Sequence, residues 1–131
     1  MSDPEIYEIF AVKYGSMAEN RFRRDNFILA DDHAAPMPID YYVWAIRNEN
    51  RTLVVDAGFD FKEAEKRGRK VDRLPRDGLE MLGIDASTVE DVIITHMHYD
   101  HAGTMDDFPG ARFHVQDAEM QFATGRHMCQ Q

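Results

Sequence analysis

The feature that most constrains this chain is a pair of β-rich runs joined by a polar turn. Within "YYVWAIRNENRTLVVDAG", residues 41–58, the runs Tyr41–Ile46 and Thr52–Val55 flank "RNENR". Aromatic and β-branched residues on both sides of a short polar connection predict an antiparallel hairpin. Asp56 and Gly58 then supply turn chemistry that ends the second strand. Upstream, "EIYEIFAVKYG", residues 5–15, alternates polar and apolar positions, with Ile6, Ile9, Phe10 and Val12 favouring another strand. The intervening residues 16–40 are mixed in period, close with Pro36 and Pro38, and read as a loop without repeats.

Downstream the pattern changes. "FKEAEKRG" predicts a short helix stopped by Gly68, and "PRDGLEMLGI", residues 75–84, a second with Pro75 at its start and Gly83 at its end. "VEDVIIT" is a continuous apolar run of the kind that forms a strand buried on both faces. "GARFHVQ", residues 110–116, predicts one more strand, and "DAEMQFATGRHM" a helix with Asp117 as N-cap and Gly125 as terminator. Strands in hairpins, then strands alternating with helices, predict an α/β (α+β layered) fold. At 131 residues the chain is one domain, 1–131.

Charge and cysteine content narrow the function classes. A net charge of -9, with "EKRGRK", residues 65–70, as the longest basic cluster, argues against a nucleic-acid partner. That cluster reads as a solvated helix end followed by a loop. The single cysteine, Cys129, allows no intramolecular disulfide and suits a reducing compartment. "MSDPEIYEIF" lacks the basic head and apolar core of a signal peptide, and no run approaches the ~20 apolar residues of a membrane span. The expectation is a cytoplasmic protein with no membrane association.

Half of the six histidines fall in "THMHYDHAG", residues 95–103, directly after the apolar strand. In extended backbone, residues two apart point to the same side, so His96 and His98 converge as the strand runs out. His101 breaks that alternation, which requires a turn near Tyr99 and Asp100, made easier if Gly103 takes a positive φ. Imidazole nitrogens with a carboxylate oxygen form a ligand set for zinc, or for iron or manganese in a mixed site. The cluster therefore predicts metal binding.

This segment resembles the metallo-β-lactamase superfamily motif His-x-His-x-Asp-His, here His96, His98, Asp100 and His101. "VVDAG" resembles the superfamily's earlier aspartate turn, with Asp56 in the position that supports the ligand loop. "FAVKYG", "YYVWAI", "DVIITHMHYDHAG" and "FPGARFHVQDAEMQFATGRHM" are similar to the N-acyl homoserine lactonase branch, so the likeness runs over nearly the whole chain. The resemblance implies the N-terminal half of an αβ/βα sandwich and a zinc-dependent hydrolase that opens lactone rings. It places His96 and His98 on a first zinc, Asp100 and His101 on a second, and Asp56 behind a ligand. Asp100 would also pass a proton to the leaving alcohol. The family's later donors, two histidines and a bridging aspartate, have no counterpart here, so partial zinc occupancy is expected. A glyoxalase-II-like thioester hydrolase shares the motif and remains the alternative enzyme, and a non-catalytic metal-binding or self-associating module is the alternative of another class.

The remaining candidates read more simply. His114 is expected as a strand residue with a satisfied hydrogen bond, His33 as a solvated loop residue, and His127 with Cys129 as part of a frayed tail. Met17, Met37, Phe59 and Phe61 resemble lactonase acyl-pocket positions, while core packing is at least as ordinary a role for them. The expected partner is a small-molecule lactone. Half a sandwich also leaves apolar positions of "YYVWAI", "TLVV" and "DVII" without a covering layer, which predicts a two-fold homodimer.

Overall fold

The computed structural model describes residues 4–29 and 32–126, so His127 and Cys129 lie outside the described residues. Strand β1 (Glu8–Met17) pairs antiparallel with β2 (Ile39–Arg47), which turns back into β3 (Thr52–Val55). The hairpin register matches Trp44 with Val55 and Arg47 with Thr52. Its turn is closed by the Asn48 Oδ1, which accepts from the N–H groups of Asn50 at 2.9 Å and Arg51 at 2.8 Å. An asparagine side chain that mimics a turn carbonyl is what makes the polar "RNENR" stretch reverse direction.

Beyond the hairpin, the strands Asp91–Ile93 and Arg112–His114 join the sheet in parallel, because helices carry the chain back before each of them. The first crossover holds α1 (Phe61–Arg67), the two-residue strand β4 (Lys70–Val71) and α2 (Pro75–Glu80), and leads to β5 (Asp91–Ile93). A second passes α3 (Tyr99–Ala102) into β6 (Arg112–His114), followed by α4 (Asp117–Thr124). The result is a mixed six-stranded sheet in the order β4-β1-β2-β3-β5-β6. Helix α1 starts where the Asp60 carboxylate accepts from Glu63 N–H at 2.9 Å, and ends at Gly68, whose φ of 64° is left-handed.

Alternation along the strands sorts the sheet into two faces. Val12, Tyr14, Tyr41, Val43, Ala45, Val54 and Val92 are buried with Phe59, Leu79 and Phe108 beneath the helices. Helix α2 comes so close that a Cβ on Gly78 would lie 2.6 Å from the Val12 Cγ1. On the other face Ile9, Tyr42 and Trp44 are 66%, 38% and 41% exposed.

Three expectations need correction. β5 is covered fully on one face only: Val92 is wholly buried while Ile93 is partly exposed, because helices cover one side of the sheet. "EKRGRK" does not run out into a loop, since Lys70 and Val71 pair with Ser16 and Gly15 of β1. Asp117 is the first residue of α4, and Gln116 takes the N-cap position. Among the described residues, no helix is long and apolar enough to cross a membrane.

Candidate metal centre

The site forms where β3 and β5 end side by side. Asp56, one residue past β3, has a φ of 65°, left-handed backbone that aspartate tolerates better than most residues. Its N–H continues the parallel ladder to Ile93 O at 2.8 Å, and only 4% of the residue is exposed. From there its carboxylate reaches the segment beyond β5. Oδ1 accepts from Thr95 N–H at 2.8 Å, and Oδ2 accepts from His101 Nδ1 at 2.6 Å.

Thr95 extends this control to a second imidazole. Its hydroxyl lies 3.0 Å from both Asp56 oxygens and 3.2 Å from His96 Nδ1. A hydroxyl has one proton to give, and the carboxylate takes it, so Thr95 Oγ1 accepts from His96 Nδ1–H. One aspartate thus sets the tautomer of two histidines, directly for His101 and through Thr95 for His96. In both rings Nε2 is the nitrogen left for a metal.

The donors converge. One ligand atom each from His96, Asp100 and His101 lie within 4.8 Å of one another. The His96 and His101 rings are 3.9 Å apart, and the Asp100 Oδ2 is 3.4 Å from His101 Nε2. His98 is not in this group. It is exposed and caps the start of α3, where its carbonyl accepts from His101 N–H at 3.0 Å, although its ring lies 4.7 Å from that of His96. Two imidazoles and a carboxylate are a donor set suited to zinc.

The charges in the cluster depend on one another. Burial would lower the His101 imidazole, but hydrogen bonds to Asp100 and Asp56 outweigh it and lift it to about 9. Burial would raise the Asp100 carboxyl, but the His101 hydrogen bond and charge hold it below the usual range. Burial, aided by His101 and His98, pushes His96 down. Two carboxylates beside one imidazole favour its charged form.

Two supports had no signal in the local sequence. The wholly buried Tyr14 of β1 donates from its hydroxyl to the Asp100 carbonyl at 3.1 Å. Glu119 of α4 accepts from Met97 N–H at 2.7 Å. Gly103 departs from expectation: its φ is -75°, so positive φ is not its role. A Cβ there would lie 2.5 Å from Tyr99 O and 2.6 Å from Gly58 O, so glycine lets the ligand loop press against the Asp56 turn. His114 is a strand residue whose Nε2 meets Asp91 Oδ1 at 2.8 Å, and His33 is exposed. Phe59 is wholly buried against Tyr14 and Tyr41, Phe61 is 55% exposed, Met17 is partly buried against the core and Met37 is half-buried.

Comparison with known proteins bears on this geometry. Residues 37–121 match the family described as "Metallo-beta-lactamase superfamily". The chain is 28% identical over 95 residues to the "Probable metallo-hydrolase Rv2300c" of Mycobacterium tuberculosis, covering 63% of this chain and 30% of that protein. It is 36% identical over 83 residues to the hydroxyacylglutathione hydrolase of Aeromonas salmonicida, covering 60% and 27%. It is 40% identical over 47 residues to the N-acyl homoserine lactonase AttM of Rhizobium johnstonii, covering 36% and 18%. Among solved structures, a quorum-quenching N-acyl homoserine lactone lactonase superposes with a TM-score of 0.68 at 18% identity, covering 92% of this chain and 49% of that one. The dizinc quorum-quenching lactonase AidC, in complex with a product, superposes with a TM-score of 0.62 at 20% identity, covering 88% and 44%. The chain thus spans about half the length of these solved structures and less than a third of the curated relatives.

Proposed function

The chain belongs to the metallo-beta-lactamase superfamily, and from that premise we propose a zinc-dependent hydrolase that opens the lactone ring of N-acyl homoserine lactones. The observation that carries the reading is the convergence of His96, Asp100 and His101, with Asp56 fixing the ring of His101. In this reading His96, Asp100 and His101 would hold the metal, together with His98 at the exposed start of α3. A bound zinc would supply Lewis acidity toward an ester carbonyl and activate water. Asp56 keeps both Nε2 atoms presented by holding the opposite nitrogens, one of them through Thr95. Asp100, ionised in these surroundings, would take up the proton released by the attacking water and pass it on to the departing alkoxide oxygen. Tyr14 pins the Asp100 peptide while that side chain acts.

Support for a lactone over other esters comes from the 40% identity to AttM, which is confined to 47 residues. The 36% identity to a hydroxyacylglutathione hydrolase over 83 residues favours a second reading, a thioester hydrolase with the same donors. Zinc prefers four donors, so this set fills one ion at most, and a two-zinc centre takes further donors from elsewhere. Elemental analysis after dialysis should therefore find fewer than two zincs per chain, and two firmly held ions would overturn that ligand set. A protein carrying the full donor set should open N-acyl homoserine lactones faster than it cleaves S-acyl glutathione. The reverse preference would favour the thioester reading. We also propose a two-fold homodimer through the exposed Tyr42–Trp44 face, which a monomer in sedimentation at micromolar concentration would exclude.

A further inference from the structure

We propose that Glu119 is a positioning residue for the metal donors: its carboxylate holds the His96–Met97 peptide and so governs how the imidazoles of His96 and His98 are presented. The proposal rests on the zinc reading above and extends it to a residue outside the His-x-His-x-Asp-His stretch.

Backbone pairing explains why the segment needs an outside hold. The β5–β6 ladder runs out with Ile94 N–H donating to His114 O at 3.0 Å. Beyond it, Thr95 and Met97 carry N–H groups with no strand to receive them, and buried or half-buried amides require a partner. Carboxylates supply both. Thr95 N–H donates to Asp56 Oδ1 at 2.8 Å, and Met97 N–H donates to Glu119 Oε1 at 2.7 Å. The two clamps come from the two strands that flank β5: Asp56 from the turn after β3, Glu119 from the helix after β6. His96 stands between the two clamped amides of Thr95 and Met97, and His98 follows Met97.

Helix α4 contributes no side chain to the hydrophobic core. No residue of α4 is buried, and its large apolar side chains Met120 and Phe122 are 44% and 55% exposed. Glu119 reaches the His96–His101 segment from α4 by a carboxylate–amide bond, of the stronger, charge-assisted kind. Losing it frees the Met97 peptide to rotate, and a rotation there moves the imidazoles on both sides.

Glu119→Ala and Glu119→Gln separate positioning from simple docking of α4. Zinc affinity is read by competition with a chromophoric chelator, and donor geometry by the ligand-field spectrum of cobalt(II) substituted for zinc. Glu119→Ala should weaken zinc about 10-fold or more and shift the cobalt bands, a loss typical of residues that support metal ligands. Glu119→Gln keeps an acceptor oxygen and should recover most of that loss. Zinc affinity within twofold of the parent and an unchanged cobalt spectrum in Glu119→Ala, even with a lower melting temperature, would overturn the proposal. If Glu119→Ala fails to fold, amide exchange in the parent decides: a Met97 amide exchanging as fast as an unprotected one overturns it equally. A parent chain that takes up no zinc would overturn the zinc reading itself, and this inference with it.

Discussion

Two buried aspartates, one at each end of the β5 region, both bond a histidine, yet only one belongs to a candidate site. Asp56 is 4% exposed and Asp91 5% exposed, and their histidine contacts are 2.6 Å and 2.8 Å. Around Asp91 the other partners are cations: Arg51 Nη2 at 3.5 Å and Arg112 Nη2 at 3.4 Å. The His114 hydrogen bond foremost, then the two arginines against the opposition of burial, hold its carboxyl below the usual range. That cluster is satisfied by its own members, with nothing left over for a cation. Around Asp56 the partners are a hydroxyl, an amide and an imidazole, and the far side of that imidazole meets a second carboxylate and a second histidine. A histidine–carboxylate pair is common structural chemistry. It becomes a candidate metal centre when unspent donor atoms gather on the side away from the carboxylate.

That contrast can be broken by mutation. Asp56→Ala removes the anchor of Thr95 and His101 and leaves alanine at a φ of 65°. It should weaken zinc by about 10- to 100-fold and destabilise the metal-free chain by about 2–4 kcal/mol in urea melts. Asp91→Asn should leave zinc affinity within about twofold, because its partners are exposed arginines and a histidine that water can solvate. Equal loss of zinc in both variants would mean that Asp91, too, acts on the donors.

Glycines sharpen the same comparison at a smaller scale. At the Asp56 end, Gly103→Ala drives a methyl to 2.5–2.6 Å from the carbonyls of Tyr99 and Gly58, backbone that cannot step aside. It should cost about 1–3 kcal/mol in thermal or urea melts and weaken zinc by parting the ligand loop from the Asp56 turn. At the Asp91 end, Gly110→Ala meets only Ser87 O, at 3.5 Å, and should stay within about 0.5 kcal/mol of the parent. A tolerated Gly103→Ala would show that the loop need not press so closely.

Much of this was legible along the chain because its causes are local. The hairpin follows from two β-rich runs and an asparagine that closes the turn, and strand alternation already separates Tyr41, Val43 and Ala45 from Tyr42 and Trp44. The α/β class followed from the order of those elements, and the structure bears it out as a mixed six-stranded sheet with helices. The metal motif stood out because its donors sit within six positions of one another. β4 did not, because two residues carry no periodicity and pair only once β1 lies beside them.

The amino-acid sequence by itself determined which donors are available and where the strand delivering them ends, since spacing and periodicity are properties of neighbours along the chain. Only the tertiary structure decided how those donors are held. The contact from Tyr14 to Asp100 spans 86 positions, that from Asp56 to His101 spans 45 and that from Glu119 to Met97 spans 22. No local pattern encodes such pairs, because their partners meet only when the parallel pairing of β3, β5 and β6 sets strand ends and helix starts side by side. The same packing left His98 outside the convergent group: α3 begins there, and the turn that brings His101 beside His96 uses His98 as its first backbone acceptor.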